Sequence, residues 1–103
     1  MTSNTLGDLL DHILQAAQDA CNFTRELSFS QFERDKKTQQ AVIMSLIIIG
    51  EAATQIMDKY EEFAGNNPQV EWRSMRGMRN RMAHGYFDIN LLLVWAYSAN
   101  CFA

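Results

Sequence analysis

The sequence predicts an all-α protein, and three observations lead to that prediction. Hydrophobic residues make up 48% of the 103 positions, whereas the chain contains one proline and five glycines. A turn-rich β fold or a disordered chain would contain more of both. Apolar residues also recur at steps of three and four along extended segments, which is the period of an amphipathic helix. We therefore expect one domain, residues 1–103, built as an antiparallel four-helix bundle with a short extra helical turn.

The first helix is predicted to begin at Thr5 and to run to about residue 25. Thr5 and Asp8 have the spacing of a capping box, in which two side chains bond the free amides of the first helical turn. Residues 27–36 have no sustained period and suggest a connection with a short helical turn from Ser30 to Arg34. Two aromatic side chains of this connection are expected to anchor it to the core: Phe29 and Phe32.

A second, long helix is predicted from about Lys37 to Phe63. Its first half, within AVIMSLIIIGEAATQIM, is apolar on nearly all sides, as expected of a central buried helix. Glu51 is the exception, because it shares an arc with apolar neighbours and a carboxylate there needs a partner or water. Two interpretations remain open. Either Glu51 reaches solvent at the border of the helix, or it forms an ion pair with an arginine of the basic segment described below.

Residues 64–69, AGNNPQ, predict a reversal of the chain. A third helix is expected to begin between Pro68 and Glu71 and to end near Gly85, which can act as a C-terminal cap. Either Asp88 or Asn90 can cap a fourth helix through LLLVWAYSA.

The formal charge of -3 and the pI near 5.2 argue against a protein that coats nucleic acid through an extended basic face, although a local basic site remains possible. The two cysteines, Cys21 and Cys101, and the two histidines, His12 and His84, have the spacing of neither a zinc site nor a disulfide framework. We expect two buried thiols, no metal and no cofactor.

The N-terminus lacks the basic segment and the long apolar run of a signal peptide. The longest apolar run, from Ile43 to Ile49, is interrupted by Ser45 and is shorter than the roughly 18 to 20 residues that cross a bilayer. We expect a soluble, cytoplasmic protein with no membrane partner.

A basic segment, defined here as Trp72 to Tyr86 (WRSMRGMRNRMAHGY), holds four of the nine basic residues. On a helical wheel, Arg79 falls inside an apolar arc, where its head group needs a partner or an interface. Arg76, Asn80 and His84 form a neighbouring row of i, i+4 positions. Arg79 and His84 lie about 140° apart on a regular helix. They can meet if the helix loosens before Gly85 or if two copies pack about a two-fold axis.

These side chains suit RNA cleavage without a metal. Imidazole titrates near neutral pH, so His84 can move protons to and from the ribose 2'-hydroxyl and the leaving oxygen. Arg79 offers a planar fork to the phosphate. Asn80 can orient either group, and Tyr86 places a phenol beside them. The structural alternative is that Arg79 pairs with Glu51, His84 caps a helix and Tyr86 belongs to the core.

The segment from Arg79 to Tyr86, RNRMAHGY, resembles the Arg-x-x-x-x-His-x-Tyr signature of HEPN-domain toxins of the HepT type. The likeness extends to IIIGEAA (47–53), to Trp72, and to Phe87-Asp88-Ile89, and covers about residues 6 to 95. Members of the family continue their last helix, usually with charged residues, whereas this chain is uncharged after Asp88. We therefore expect the last helix to be truncated or altered after about residue 95.

The resemblance implies a helical bundle that forms a homodimer with its Arg/His motifs at the interface and acts as a metal-independent ribonuclease toxin on RNA. Arg79 and His84 would be the catalytic pair, with Asn80 supporting. Arg76 and Glu51 are further candidates for a supporting role. The partner implied is a nucleotidyltransferase antitoxin of the MntA type, which adds AMP to the motif tyrosine, here Tyr86.

Two other functions compete with this expectation. The chain can be a non-catalytic helical subunit that binds a small nucleotidyltransferase. It can also be a structural dimer in which Arg79 and Glu51 only seal the interface.

Overall fold

The structure, a computed structural model, describes residues 4–99. These residues are all-helical, as predicted, and contain no strand. Six α-helices and one 3-10 helix follow each other: α1 (Leu6–Thr24), α2 (Phe29–Glu33), α3 (Lys36–Lys59), α4 (Glu61–Asn66), α5 (Trp72–His84), the 3-10 helix η1 (Tyr86–Asp88) and α6 (Leu91–Ala99). The four longer helices correspond to the four predicted ones and α2 to the predicted short helical turn, whereas α4 and η1 were not predicted as separate helices.

The capping box predicted for α1 is confirmed. The Asp8 amide donates to the Thr5 hydroxyl oxygen at 3.1 Å, and the Thr5 amide donates to the Asp8 carboxylate at 3.0 Å. Hydrogen bonds to the Asp8 carboxylate, first from the Thr5 backbone and then from the Thr5 side chain, lower the pKa of Asp8 below its ordinary value of 3.8. A second capping box, between Ser28 and Gln31, begins α2 slightly earlier than predicted. Phe32 is fully buried in the core, as expected.

Helix α3 is the central element, and both α1 and α5 pack mainly against it. Helix α3 can be contacted by other helices on several sides because apolar residues cover most of its surface. The core divides into a cluster around Phe32, Leu46 and Met78 and a second cluster around Leu9, Ile56 and Trp72. Asp35 caps the helix by accepting hydrogen bonds from Thr38, and the side-chain bond is the larger cause of a lowered Asp35 pKa.

The predicted extent of the second helix is wrong at its end. Helix α3 ends at Lys59, and Tyr60 has a non-helical backbone (φ -133°, ψ 52°) that separates α3 from α4. The Tyr60 ring packs against the second cluster, and its hydroxyl donates to the Asn4 carbonyl at 3.5 Å. Glu61 and Glu62 then occupy the first turn of α4, where negative charge is favourable.

By length and composition α3 resembles a membrane span, with a mean hydropathy of 1.5, but half of its apolar window is buried inside the protein. A single helix of this kind is weak support for a membrane protein, because core helices pass the same test. The cytoplasmic location stays a prediction.

Asn90, and not Asp88, caps α6, since its side-chain oxygen accepts from the Leu92 amide at 2.9 Å. Trp95 of α6 packs on the rings of Phe29 and Phe32, with centroids 6.0 and 5.3 Å away. The expectation of an altered last helix falls mainly on residues beyond Ala99, outside the described residues.

The prediction of a buried thiol at Cys21 is confirmed for the burial and wrong for the thiol. Cys21 is buried, with 9% of its surface exposed, and it is disulfide-bonded. Cys101 lies outside the described residues.

Candidate active site on helix α5

The crossing of α3 and α5 at Gly50 determines where the basic segment lies. A β-carbon added at Gly50 would stand 2.6 Å from the Met75 backbone oxygen and would also overlap the β-carbon of Arg79. No residue other than glycine therefore fits without separating the helices. The close approach places Arg79 directly against α3.

Arg79 is held at this crossing by two residues of α3. One terminal nitrogen, Nη2, donates to the Thr54 hydroxyl oxygen at 3.3 Å. Its Nε lies 3.8 Å from Oε1 of Glu51, a distance too long for a hydrogen bond, and has no hydrogen-bond partner among the described residues although it is buried. The Arg79 side chain is only 21% exposed. The wheel therefore located Arg79 correctly at a place where its charge needs a partner.

Glu51 combines the two interpretations left open by the sequence. Its side chain is 51% exposed and so reaches solvent, and it also lies beside Arg79 as an ion-pair partner. The second carboxylate oxygen accepts from the Gln55 amide at 3.3 Å. Because Glu51 is half exposed, water screens much of its attraction for Arg79.

Arg76 points away from the row in which the wheel places it. Its Nη2 forms an ion pair with Asp58 of α3 at 3.1 Å, and its Nε is buried without a hydrogen bond. The structure therefore does not join Arg76 to Asn80 and His84. A supporting role for Arg76 stays a prediction.

Asn80 and His84 are exposed, and their side chains form no hydrogen bond within residues 4–99. Helix α5 stays α-helical through His84, and the Gly85 amide still bonds the Arg81 carbonyl at 3.0 Å. The helix therefore does not loosen before Gly85. Five regular residues place Arg79 and His84 about 140° apart around the axis and about 7.5 Å apart along it. One chain alone does not direct both groups to one atom.

Tyr86 lies in η1, directly after α5. Its hydroxyl accepts from the Gln40 side-chain amide at 3.3 Å, which ties η1 to the beginning of α3. Tyr86 is 45% exposed, so it does not belong to the core, contrary to the structural alternative. The adjacent Phe87 is 99% exposed.

Sequence reasoning missed four residues that shape this region. Thr54 carried a detectable signal, because it lies four residues after Gly50 on the same helix face. Gln40 carried none, since it is 46 positions from Tyr86 and only the tertiary fold joins them. The other two are Gly50 and Phe87. The role of Gly50 depends on the distance between two helices, and the sequence pattern did not reveal the exposure of Phe87.

These groups offer a guanidinium for an anion, an unoccupied imidazole for proton transfer and an accessible phenol. Within the described residues no group of three or more His, Cys, Asp or Glu side chains is arranged to hold a metal ion. The fold and the site together define a class: small all-helical domains with an Arg-x-x-x-x-His-x-Tyr motif at the end of one helix.

Comparison with known proteins identifies the family. A family model described as Ribonuclease HepT-like matches residues 13–101. The chain is 42% identical over 83 residues to "Putative RNase MJ0127" of Methanocaldococcus jannaschii. The aligned residues make up 81% of this chain and 66% of that protein. It is 40% identical over 88 residues to "Probable ribonuclease HepT" of Thermococcus cleftensis, covering 85% and 77% respectively. No solved structure matches the chain. The chain belongs to the HepT-like ribonuclease family, as the resemblance predicted.

Proposed function

We propose that this protein is a metal-independent endoribonuclease and the toxin component of a toxin-antitoxin system. One observation carries the proposal: a chain of the HepT-like ribonuclease family places two groups on one helix, an Arg79 whose Nε has no hydrogen-bond partner within residues 4–99 and an exposed His84 whose imidazole forms no hydrogen bond with them. Structural arginines and histidines are usually satisfied by their own protein. The Nε of Arg79 and the imidazole of His84 lack such hydrogen bonds within residues 4–99, which favours a ligand.

The reaction divides into two proton transfers and one displacement. His84 accepts the proton of the ribose 2'-hydroxyl while the 2'-oxygen bonds to phosphorus and the bond to the 5'-oxygen breaks. A protonated imidazole returns a proton to that leaving oxygen, so the products are a cyclic 2',3'-phosphate and a 5'-hydroxyl. Arg79 stabilises the charge that develops on the phosphate oxygens. Asn80 orients the substrate or the imidazole.

The cleavage test uses a single-stranded RNA in EDTA. The wild-type protein should cut it and leave cyclic 2',3'-phosphate ends, whereas His84→Ala and Arg79→Ala should lose roughly two or more orders of magnitude in rate. Circular dichroism confirms that each variant is folded, and Arg73→Ala, an exposed arginine of the same helix, is the matched control. Cleavage that persists in both site variants would refute the assignment.

The proposed active form is a homodimer. The angle between Arg79 and His84 on one helix supports this, because a second copy can supply the group that the first directs elsewhere. Helix α3 also exposes two large apolar side chains on the face that leads to Glu51, Met44 at 57% and Ile48 at 39%. Such exposed apolar surface is typical of an interface.

A mixing experiment tests whether each site is shared. When Arg79→Ala and His84→Ala proteins exchange subunits in equal amounts, about half of the dimers are mixed and one of their two sites has both groups intact. We expect about one quarter of wild-type activity to return. If the mixture is as inactive as its components while mixed dimers form, both groups act from the same chain.

We further propose that a nucleotidyltransferase antitoxin neutralises the toxin by adding AMP to Tyr86. The partial exposure of the Tyr86 residue and its position two residues after His84 support this. The adduct brings negative charge and bulk to the place that the RNA phosphate occupies. Co-expression with a nucleotidyltransferase of the MntA type should add AMP mass to a peptide containing Tyr86 and not to the Tyr86→Phe protein. Adducts on Tyr86→Phe would place the modification elsewhere.

One observation favours the competing function, a non-catalytic subunit that binds a nucleotidyltransferase. Arg79 already contacts Thr54 and Glu51 within its own chain, as a structural role requires. A growth assay separates the two functions. Toxicity of the chain expressed alone supports the ribonuclease, whereas a harmless chain whose complex modifies another substrate supports the binding subunit.

A further inference from the structure

Phe87 is the most exposed large hydrophobic side chain in residues 4–99. It is 99% exposed, whereas the next, Leu14 and Leu92, are 60% and 59% exposed. A phenylalanine surrounded by water gains nothing from burial and leaves its ring available to a ligand.

The ring is held in a defined position. Phe87 packs against Tyr86 with ring centroids 5.9 Å apart and planes at 78°. Gln40 fixes the Tyr86 hydroxyl at 3.3 Å, and the 3-10 turn is closed by the Asp88 amide bonding the Gly85 carbonyl at 3.0 Å. The Tyr86–Phe87 pair, called the aromatic pair below, is therefore anchored to α3 at one end and to α5 at the other.

The aromatic pair lies within reach of the proposed reaction. Phe87 lies three positions after His84, and a chain of three residues spans at most about 11 Å. A phosphate in contact with His84 carries nucleotides whose bases lie at similar distances. Unpaired bases stack on aromatic side chains in proteins that bind single-stranded nucleic acid.

We propose that Phe87 stacks on an unpaired base beside the scissile phosphate and so binds the RNA substrate next to the reaction. This inference rests on the proposed ribonuclease function and adds a substrate-binding residue to it. The position of Phe87 favours RNA as the occupant, because Phe87 follows His84, the proposed general base at the scissile phosphate, by only three positions.

The test compares cleavage and binding in Phe87 variants of the full chain. Phe87→Leu keeps an apolar side chain but removes the π face, and Phe87→Trp keeps the face. Phe87→Leu should raise the KM for single-stranded RNA by roughly 5- to 150-fold with a smaller change in kcat, and Phe87→Trp should not. Leu92→Ala, which removes another exposed apolar side chain, is the matched control. The same RNA annealed to its complement should be cut poorly by the wild-type protein.

A binding measurement separates this inference from the proposed function. In the His84→Ala background, an RNA carrying 2-aminopurine should lose fluorescence on binding, and adding Phe87→Leu should abolish that loss. Quenching that depends on Phe87 in a protein that cleaves nothing would retain the inference and overturn the ribonuclease. Cleavage by the wild-type protein without such quenching would retain the ribonuclease function and overturn the stacking role of Phe87. Absence of quenching overturns the stacking role whether or not the protein cleaves RNA. If Phe87→Leu instead shifts the protein to monomers at equal concentration, a second copy covers the ring and the stacking role is refuted.

Discussion

Replacing Gly50 by alanine tests the structure most directly. The added β-carbon would stand 2.6 Å from the Met75 backbone oxygen and closer still to the β-carbon of Arg79. Neither atom is the end of a flexible side chain, so α3 and α5 must separate by about 1 Å to reach ordinary contact. Overpacking of this kind costs about 3 kcal/mol, the upper part of its usual range. Alanine returns about 1 kcal/mol through its better helix propensity. We expect a net loss of about 2 kcal/mol.

Gly77→Ala is the matched control, because Gly77 lies inside α5 and its added β-carbon would meet only one end of the Arg81 side chain, at 3.9 Å. Gly77→Ala improves the helix propensity and introduces no steric overlap, so we expect it to stabilise the protein by about 1 kcal/mol. Urea unfolding followed by circular dichroism, at one fixed protein concentration, gives both free energies. Equal effects of the two substitutions, or a Gly50→Ala protein as stable as the wild type, would refute the close crossing.

Three further predictions concern α1 and the contacts of Arg79. Arg79→Ala should lower the free energy of unfolding by only about 1 to 2 kcal/mol, since it removes one hydrogen bond and a partly exposed ion pair; a loss of several kcal/mol in urea unfolding would instead indicate a buried pair. Glu51→Gln should leave the fold intact and lower the KM for RNA, because it removes a negative charge beside the phosphate site, and steady-state kinetics measure this. Thr5→Ala should cost about 1 kcal/mol by removing the cap of α1. The pKa of Asp8 should then rise towards 3.8, as an NMR titration can follow. In the wild type the folded pKa is the lower one, so the stabilisation by ionised Asp8 is present above pH 3.8 and is lost as the pH falls through the folded pKa.

Local signals predicted the fold well where local interactions decide it. The capping box of Thr5 and Asp8 is a contact between residues three positions apart, so the sequence contains the whole interaction. The break at Tyr60 depends instead on a ring that packs in a distant cluster and a hydroxyl that reaches Asn4. Helical periodicity continues through that position, which explains why one helix was predicted across it.

The site follows the same division. The wheel identified Arg79 as a charge on an apolar arc because that conflict exists within one helix. The wheel did not predict the ion pair of Arg76 with Asp58, because that pair depends on how α3 packs against α5. The contact of Gln40 with Tyr86 likewise exists only after α3 and η1 have been brought together.

The contacts of Arg79 within its own chain are compatible with a role in catalysis. A guanidinium carries five N–H donors in one plane. Thr54 accepts from Nη2, and Glu51 lies 3.8 Å from Nε without a hydrogen bond, so donors remain for a phosphate. The glycine crossing thus presents a fixed, incompletely satisfied fork, whereas the regular helix directs His84 about 140° away. The regular helix that fixes the position of Arg79 also keeps His84 of the same chain away from it. This is a physical reason to expect that the dimer is the active unit.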